Sequence, residues 1–228
     1  MMDPAIILQI NRARDDRIAL AVIANFATGE KQIVFADEAA SHNLSGELKA
    51  RFRSGKSGIV VEDGNEVFIE MHVPAPRLVI IGAVHISQAL YPMAQACGFD
   101  VTIIDPRSAF ATKDRFGDVK LLAEWPEEVL GDVAFDAYTA VAAVTHDPKI
   151  DDLPLQHALQ ADCFYVGALG SRKTHGKRRG RLEALGVAPD DLDRIQAPIG
   201  LNVGAANPAE IAVAVMAQII EALRQDAS

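Results

Sequence analysis

Four stretches of the 228-residue chain place small, anion-binding or titratable residues at spacings that could do chemistry. In "RLVIIGAVHISQAL" a strand-like run ends at Gly82 and a helix-like run begins near His85. A helix start behind such a turn offers backbone N–H groups and the positive end of its dipole to a phosphate. The dinucleotide pattern G-x-G-x-x-G would here read Gly82-Ala83-Val84-His85-Ile86-Ser87, so Val84 and Ser87 stand where the second and third glycines would be. Val84 fills the space through which a pyrophosphate approaches the backbone, and Ser87 hinders close helix–strand packing. The anion site survives in principle, while a standard NAD(P) pose is weakened.

Asp105 ends "VTIID" just over twenty residues beyond Gly82, near the spacing at which an acid binds a ribose diol and selects against a 2′-phosphate. An Asp before Pro106 equally caps the turn that follows a strand, so both readings stand. In "AAVTHDPKIDD", Thr145, His146 and Asp147 follow the most apolar strand of the chain. A His beside an Asp serves as a general base, as a metal ligand, or as a hydrogen-bonded pair that opens a helix. In "YVGALGSRKTHGKRRGRLEALG", Gly167, Gly170, Ser171 and Arg172 lie at another strand-to-helix junction, an anion cradle with an added guanidinium fork. Lys173, Lys177, Arg178, Arg179 and Arg181 continue it as a basic helix, either a solvated face or a surface for an anionic ligand or partner. Finally, Pro198, Gly200 and Gly204 shape an irregular loop, read as ligand-facing, ahead of a helix start with Asn207 as N-cap, Pro208 at N1 and Glu210 at N3.

Holding such residues in one cleft requires strands that end side by side. From residue 76 onward apolar strand-like runs alternate with helical ones, which predicts an α/β domain with a doubly wound parallel sheet. Ligands of such sheets lie beyond the carboxyl ends of the strands, and the four stretches all follow strands. Pro74 and Pro76 mark a linker; residues 1–75 read as a small α+β module and residues 76–228 as a Rossmann-like domain. The module contains two alternating β runs around Asp63-Gly64-Asn65, a hairpin signal. The terminal helix "IAVAVMAQII" is apolar on more than one face, which predicts a homodimer.

Half the residues are hydrophobic and 23% are charged, as in a soluble globular protein. A net charge of −9 argues against a nucleic-acid partner. Residues 78–99 carry no Asp, Glu, Lys or Arg over about the length of a membrane span. Gly82, His85, Ser87, Gln88 and Pro92 interrupt that run, which therefore reads as a soluble βα unit, with no membrane contact expected. The start of the chain lacks a cleavable signal pattern, so a cytoplasmic location is expected. Two cysteines, Cys97 and Cys163, lie far apart without metal-type spacing. Both read as buried core thiols, and no metal site of the protein's own is expected.

Taken together, "RLVIIGAVHISQAL", "VTIIDPRSAFATKDRF", "AAVTHD", "YVGALGSRK" and "APIGLNVGAANPAEIAVAVMAQII" resemble the XdhC/CoxI family, accessory proteins of xanthine dehydrogenase and related molybdenum hydroxylases, over roughly residues 76 to 225. The resemblance implies a chaperone rather than a catalyst. Its cargo would be the molybdenum cofactor (molybdopterin), protected during sulfuration and inserted into an apo molybdenum hydroxylase, with a cysteine desulfurase as a further partner. His85, Asp105, Thr145, His146, Asp147, Gly167, Gly170, Ser171, Arg172, Pro198, Gly200 and Gly204 match family motifs; Val84 and Ser87 depart from them, as does the lack of a Gly-Gly-Cys loop in residues 1–75. On this reading Gly82 and the Gly167–Arg172 loop hold phosphates, and His85, Asp105, His146 and Asp147 line the cleft. One alternative is an NAD(P)-dependent oxidoreductase with His146 as acid/base; another is a ligand-free adaptor docking through the basic helix.

Overall fold

The computed structural model describes residues 3–62 and 64–224. The chain divides into two compact units, one drawn from Met1–Pro74 and Leu223–Ser228 and the other from Ala75–Ala222.

In the first unit, Asp3 caps helix α1 (Pro4–Asp15) by accepting from the Ala5 N–H at 2.9 Å. Strands β1 (Leu20–Asn25) and β2 (Lys31–Phe35), helix α2 (Ser45–Ser54), and strands β3 (Gly58–Glu62) and β4 (Asn65–His72) follow. The strands pair antiparallel in the order β2-β1-β4-β3. Ile10 and Ala13 of α1 pack on Leu20 and Val22 of β1, the period-3 side of a helix meeting the period-2 side of a strand. Glu62 pairs with Asn65 across the expected hairpin; Asp63 of that turn lies outside the described residues.

The second unit runs β5 (Arg77–Ile81), α3 (His85–Ala96), β6 (Asp100–Ile104), α4 (Lys113–Phe116), β7 (Lys120–Leu122), α5 (Pro126–Val129), β8 (Thr139–Ala143), α6 (Pro148–Gln160), β9 (Tyr165–Ala168), α7 (Arg172–Ala184), α8 (Pro189–Leu192), β10 (Ile195–Gln196) and α9 (Pro208–Arg224). Its sheet order is β10-β9-β8-β5-β6-β7, with every pairing parallel. Numbered along this unit, that is the 3-2-1-4-5-6 order of dinucleotide-binding sheets, reversing between β5 and β8. The expected Rossmann-like fold is present. Val79, Ile81, Val141 and Ala143 join α6 residues Ile150, Leu155 and Leu159 in one core cluster. The alternate residues Leu78 and Ile80 are equally buried, so both faces of the strands are covered, as continuous apolar runs require. Among the described residues no helix is long and apolar enough to cross a membrane.

The short edge strand β10 gave no signal in the sequence, because two residues carry no periodicity. What places it is Gly167, which pairs with both Ala142 and Gln196. A Cβ at Gly167 would stand 2.6 Å from the Tyr165 hydroxyl and 2.7 Å from Ile199. The Tyr165 hydroxyl donates to Gln218 of α9 at 2.7 Å, and the same side-chain oxygen accepts from the Gly200 N–H at 2.8 Å. Gly167 is thus a packing glycine inside a strand, not a rung of the anion cradle. Gly167→Ala overpacks this junction, and a loss of about 1–3 kcal/mol is expected in denaturant unfolding.

Candidate functional site

At the reversal point the Gly82 turn lies against the loop after β8. Gly82 has φ +116°, and a Cβ there would meet the Thr145 methyl at 2.6 Å, so no other residue fits. Ala83 is gripped from both sides: its N–H donates to Asp105 at 2.7 Å, and its carbonyl accepts from Arg115 at 2.9 Å. Arg115 also donates to Gln88 and to the Phe110 carbonyl. Ser87, expected to hinder packing, is fully buried and donates its hydroxyl to the Gly82 carbonyl. The turn therefore keeps a tight geometry without the two missing glycines. No side chain caps α3 at Val84, which leaves the amides of its first turn to water or a ligand.

Asp105 is fully buried. One carboxylate oxygen accepts from the Arg107 backbone N–H and Nε, both at 2.9 Å; the other accepts from Arg107 Nη2 at 2.8 Å and from Ala83. Burial alone would raise its pKa, but the Arg107 fork and the two backbone N–H groups hold it below the usual carboxylate range. A carboxylate so occupied has no lone pair directed at a ribose. The ribose reading of Asp105 gives way to a structural one, and Arg107, which sequence spacing did not single out, is its partner.

The loop after β8 divides "VTHD" into separate tasks. Asp147 caps α6, accepting from the Lys149 N–H at 3.0 Å. Thr145 donates to the buried Asp151 at 2.7 Å, and the His146 N–H donates to its other oxygen at 3.1 Å. These bonds hold His146 at φ +69°, a left-handed conformation that costs a non-glycine residue about 1–2 kcal/mol. Its imidazole is exposed. Burial, only partly offset by Thr145, Arg178 and the local N–H groups, pushes Asp151 up to about 6.

Ser171 caps α7 by accepting from the Thr174 N–H at 3.3 Å. Gly170 precedes it at φ +132°, and Arg172 is exposed at the first helical position. Gly204 has open space around it and φ +74°, whereas a Cβ on Gly200 would meet the α9 backbone at 3.1 Å. Gly82, His85, Thr145 and His146 are thus gathered on adjacent strand ends. Ser171 and Arg172 lie one strand further out, and Gly200 and Gly204 lie beyond β10.

A family model described as the XdhC Rossmann domain matches residues 78–219. The chain belongs to the XdhC Rossmann domain family. It is 32% identical over 156 residues to a probable xanthine dehydrogenase subunit of Bacillus subtilis (strain 168), covering 68% of this chain and 45% of that protein. It is also 32% identical over 148 residues to the molybdenum cofactor insertion chaperone PaoD of Escherichia coli (strain K12), covering 64% and 40% respectively. The chain thus spans less than half the length of these relatives. A crystal structure of a xanthine dehydrogenase from Bacillus halodurans shares the fold with a TM-score of 0.64 at 22% identity, over 95% of this chain and 63% of that one.

Within this XdhC Rossmann domain the thiols stand away from the strand-end cleft. Cys163 is buried, and burial pushes its pKa up to about 12. Cys97, expected in the core, is exposed, because it is the C-cap of α3 rather than a residue of its inner face. The twelve residues of α3 put Cys97 about 18 Å from His85 at the other end of the helix. Arg178, one of a basic run expected either on a solvated face or on a surface for an anionic ligand or partner, is only 2% exposed, since the α7 face that carries it is turned inward. Among the described residues no group of three or more His, Cys, Asp or Glu comes together to hold a metal ion.

Asp105→Ala strands Ala83 and Arg107 together, and a loss of about 3–5 kcal/mol is expected in chemical unfolding. For Asp151 the carboxyl and the His146 amide should titrate together in NMR with a midpoint near 6. Because the folded value lies above the ordinary 3.8, the stabilising contribution is full below that pH. It is lost as pH rises through about 6, on the order of 3 kcal/mol in all; a midpoint near 4 would contradict the burial argument.

Proposed function

We propose that this chain is an accessory protein that binds the molybdenum cofactor as cargo, shelters it during sulfuration and passes it to an apo hydroxylase of the xanthine dehydrogenase type. The observation that carries this reading is the carboxyl edge of the sheet at its reversal point. There the uncapped start of α3 carries the exposed His85, and the adjacent strand end carries the exposed His146, held in a strained backbone. Backbone strain of this kind persists where function requires it. Amide donors and imidazoles both suit the polar edge of a pterin. The similarity to a protein named as a molybdenum cofactor insertion chaperone supports the same cargo, and the similarity to a protein named as part of a probable xanthine dehydrogenase supports the same client.

The oxidoreductase alternative loses its ribose ligand, because Asp105 is closed by Arg107 and Ala83. The adaptor alternative loses one of the cations of its basic helix, because Arg178 is buried. A cysteine desulfurase is the expected sulfur donor, since neither thiol of this chain reaches the cleft. The working form is a cytoplasmic homodimer joined through α9, where Val213 and Ile220 are exposed.

The deciding measurement is binding of isolated molybdenum cofactor to the purified chain, with NAD and NADP in parallel. Binding of the cofactor alone is expected, weakened roughly tenfold in His85→Ala, the worth of one hydrogen bond. Binding of NAD alone, or of nothing, overturns the proposal.

A further inference from the structure

Helices α6 and α7 and the loop residue His146 enclose a cleft of about 260 Å³. Asp151 lines it from α6, and Lys173, Thr174, Lys177, Arg178 and Arg181 line it from α7. The acid that lines this cleft and the acid next to it are already committed. Asp151 accepts from Thr145 and the His146 N–H, and Asp152 of α6 accepts from Arg181 Nε and Nη2. Lys173 and Lys177 have no ion-pair partner among the described residues.

Arg178 is the unusual member. Its guanidinium is almost fully buried, and Nη2 donates to the Leu169 carbonyl at 2.9 Å, which fastens the loop after β9. Nε and Nη1 are buried with no hydrogen-bond partner among the described residues. Leaving buried donors of a charged group unpaired is costly, and such groups are rare in native proteins unless something absent completes them. The missing partner must be an acceptor. With Lys173 and Lys177 beside it, a multiply charged oxyanion meets the requirement, and an arginine fork matches a phosphate in geometry as well as charge. The volume lies just under the roughly 300–1,000 Å³ of pockets that enclose a whole small molecule, so it suits the charged end of a ligand rather than its ring system.

We infer that the α6–α7 cleft is a phosphate subsite, with Arg178 as its buried floor and Lys173 and Lys177 at its rim, that takes the phosphate monoester of a pterin whose ring lies toward His146. This rests on the cofactor-binding reading above and moves the phosphate from the Gly167–Arg172 loop, where Ser171 is spent on capping, to the next turns of α7.

The test uses two probes, inorganic phosphate and isolated molybdenum cofactor, on the whole chain and on Lys177→Glu and Arg178→Lys. Lys177 is exposed, so its reversal leaves the fold intact by circular dichroism. Arg178→Lys keeps a buried cation but lacks the fork. Phosphate should shift the His146, Thr174 and Lys177 amides in NMR, compete with the cofactor, and bind at least tenfold more weakly in both variants. Cofactor binding that is unaffected by phosphate and equal in all three proteins would overturn the subsite while leaving the cargo intact. Phosphate binding that the variants lose, without cofactor binding to the wild type, would keep an anion subsite and overturn its assignment to the pterin together with the cargo reading. Binding of neither probe overturns both.

Discussion

The buried carboxylate of Asp105 holds the carboxyl edge of the sheet together. It closes its own turn through the Arg107 N–H, binds the Arg107 guanidinium in a fork, and reaches across from β6 to the Ala83 N–H behind β5. A charge taken out of water is tolerated only when its lone pairs are filled, and here each oxygen accepts twice. The result is a rigid bracket that fixes the path of the chain from Gly82 into α3. In a dinucleotide fold that path is set by glycines packed beneath the helix. Here the burden passes to side chains: Arg115 holds the Ala83 carbonyl and Ser87 the Gly82 carbonyl. The departures at Val84 and Ser87 are compatible with a well-formed turn for this reason.

On the other side of the reversal point the balance differs. Asp151 and Arg178 are both buried and feel each other's field, yet neither neutralises the other through a direct bond. Asp151 is spent on shaping the loop that carries His146, and Arg178 on fastening the loop after β9. Two loops that border the cleft are therefore tied down by opposite charges in separate networks, and burial works against both charged forms. Such an arrangement stabilises poorly on its own terms. It suits the frame of the proposed anion site, where an anion on Arg178 would supply the acceptor that the described residues do not.

Much of this was legible in the residues. The alternation of apolar strands with helices announced the parallel sheet, and Asn207 with Glu210 forms the cap that its spacing promised. Gly82 could be read because its turn follows a strand and opens a helix. Asp105 and Gly167 could not: a strand-end acid is the same letter whether it faces a ribose or an arginine two positions on, and a glycine within a strand looks like a glycine in a loop. Asp151 and Arg178 were hidden among charged neighbours, "KIDD" and "GKRRGR". In the second run the structure turns only Arg178 inward, and in the first it buries Asp151 and Asp152 and leaves Lys149 exposed.

Whatever depends on local period and local chemistry was settled by the order of the amino acids: strands, helices, caps, the turn at Gly82, and membership of the XdhC Rossmann domain family through motifs in a fixed order. Which charges are buried, and against whom, was settled only by packing. Burial is a property of the assembled sheet and its covering helices, and the worth of a charge depends on the lone pairs and donors brought to it from distant parts of the chain. Asp105 became a bracket and Arg178 a candidate ligand-binding group by that means alone.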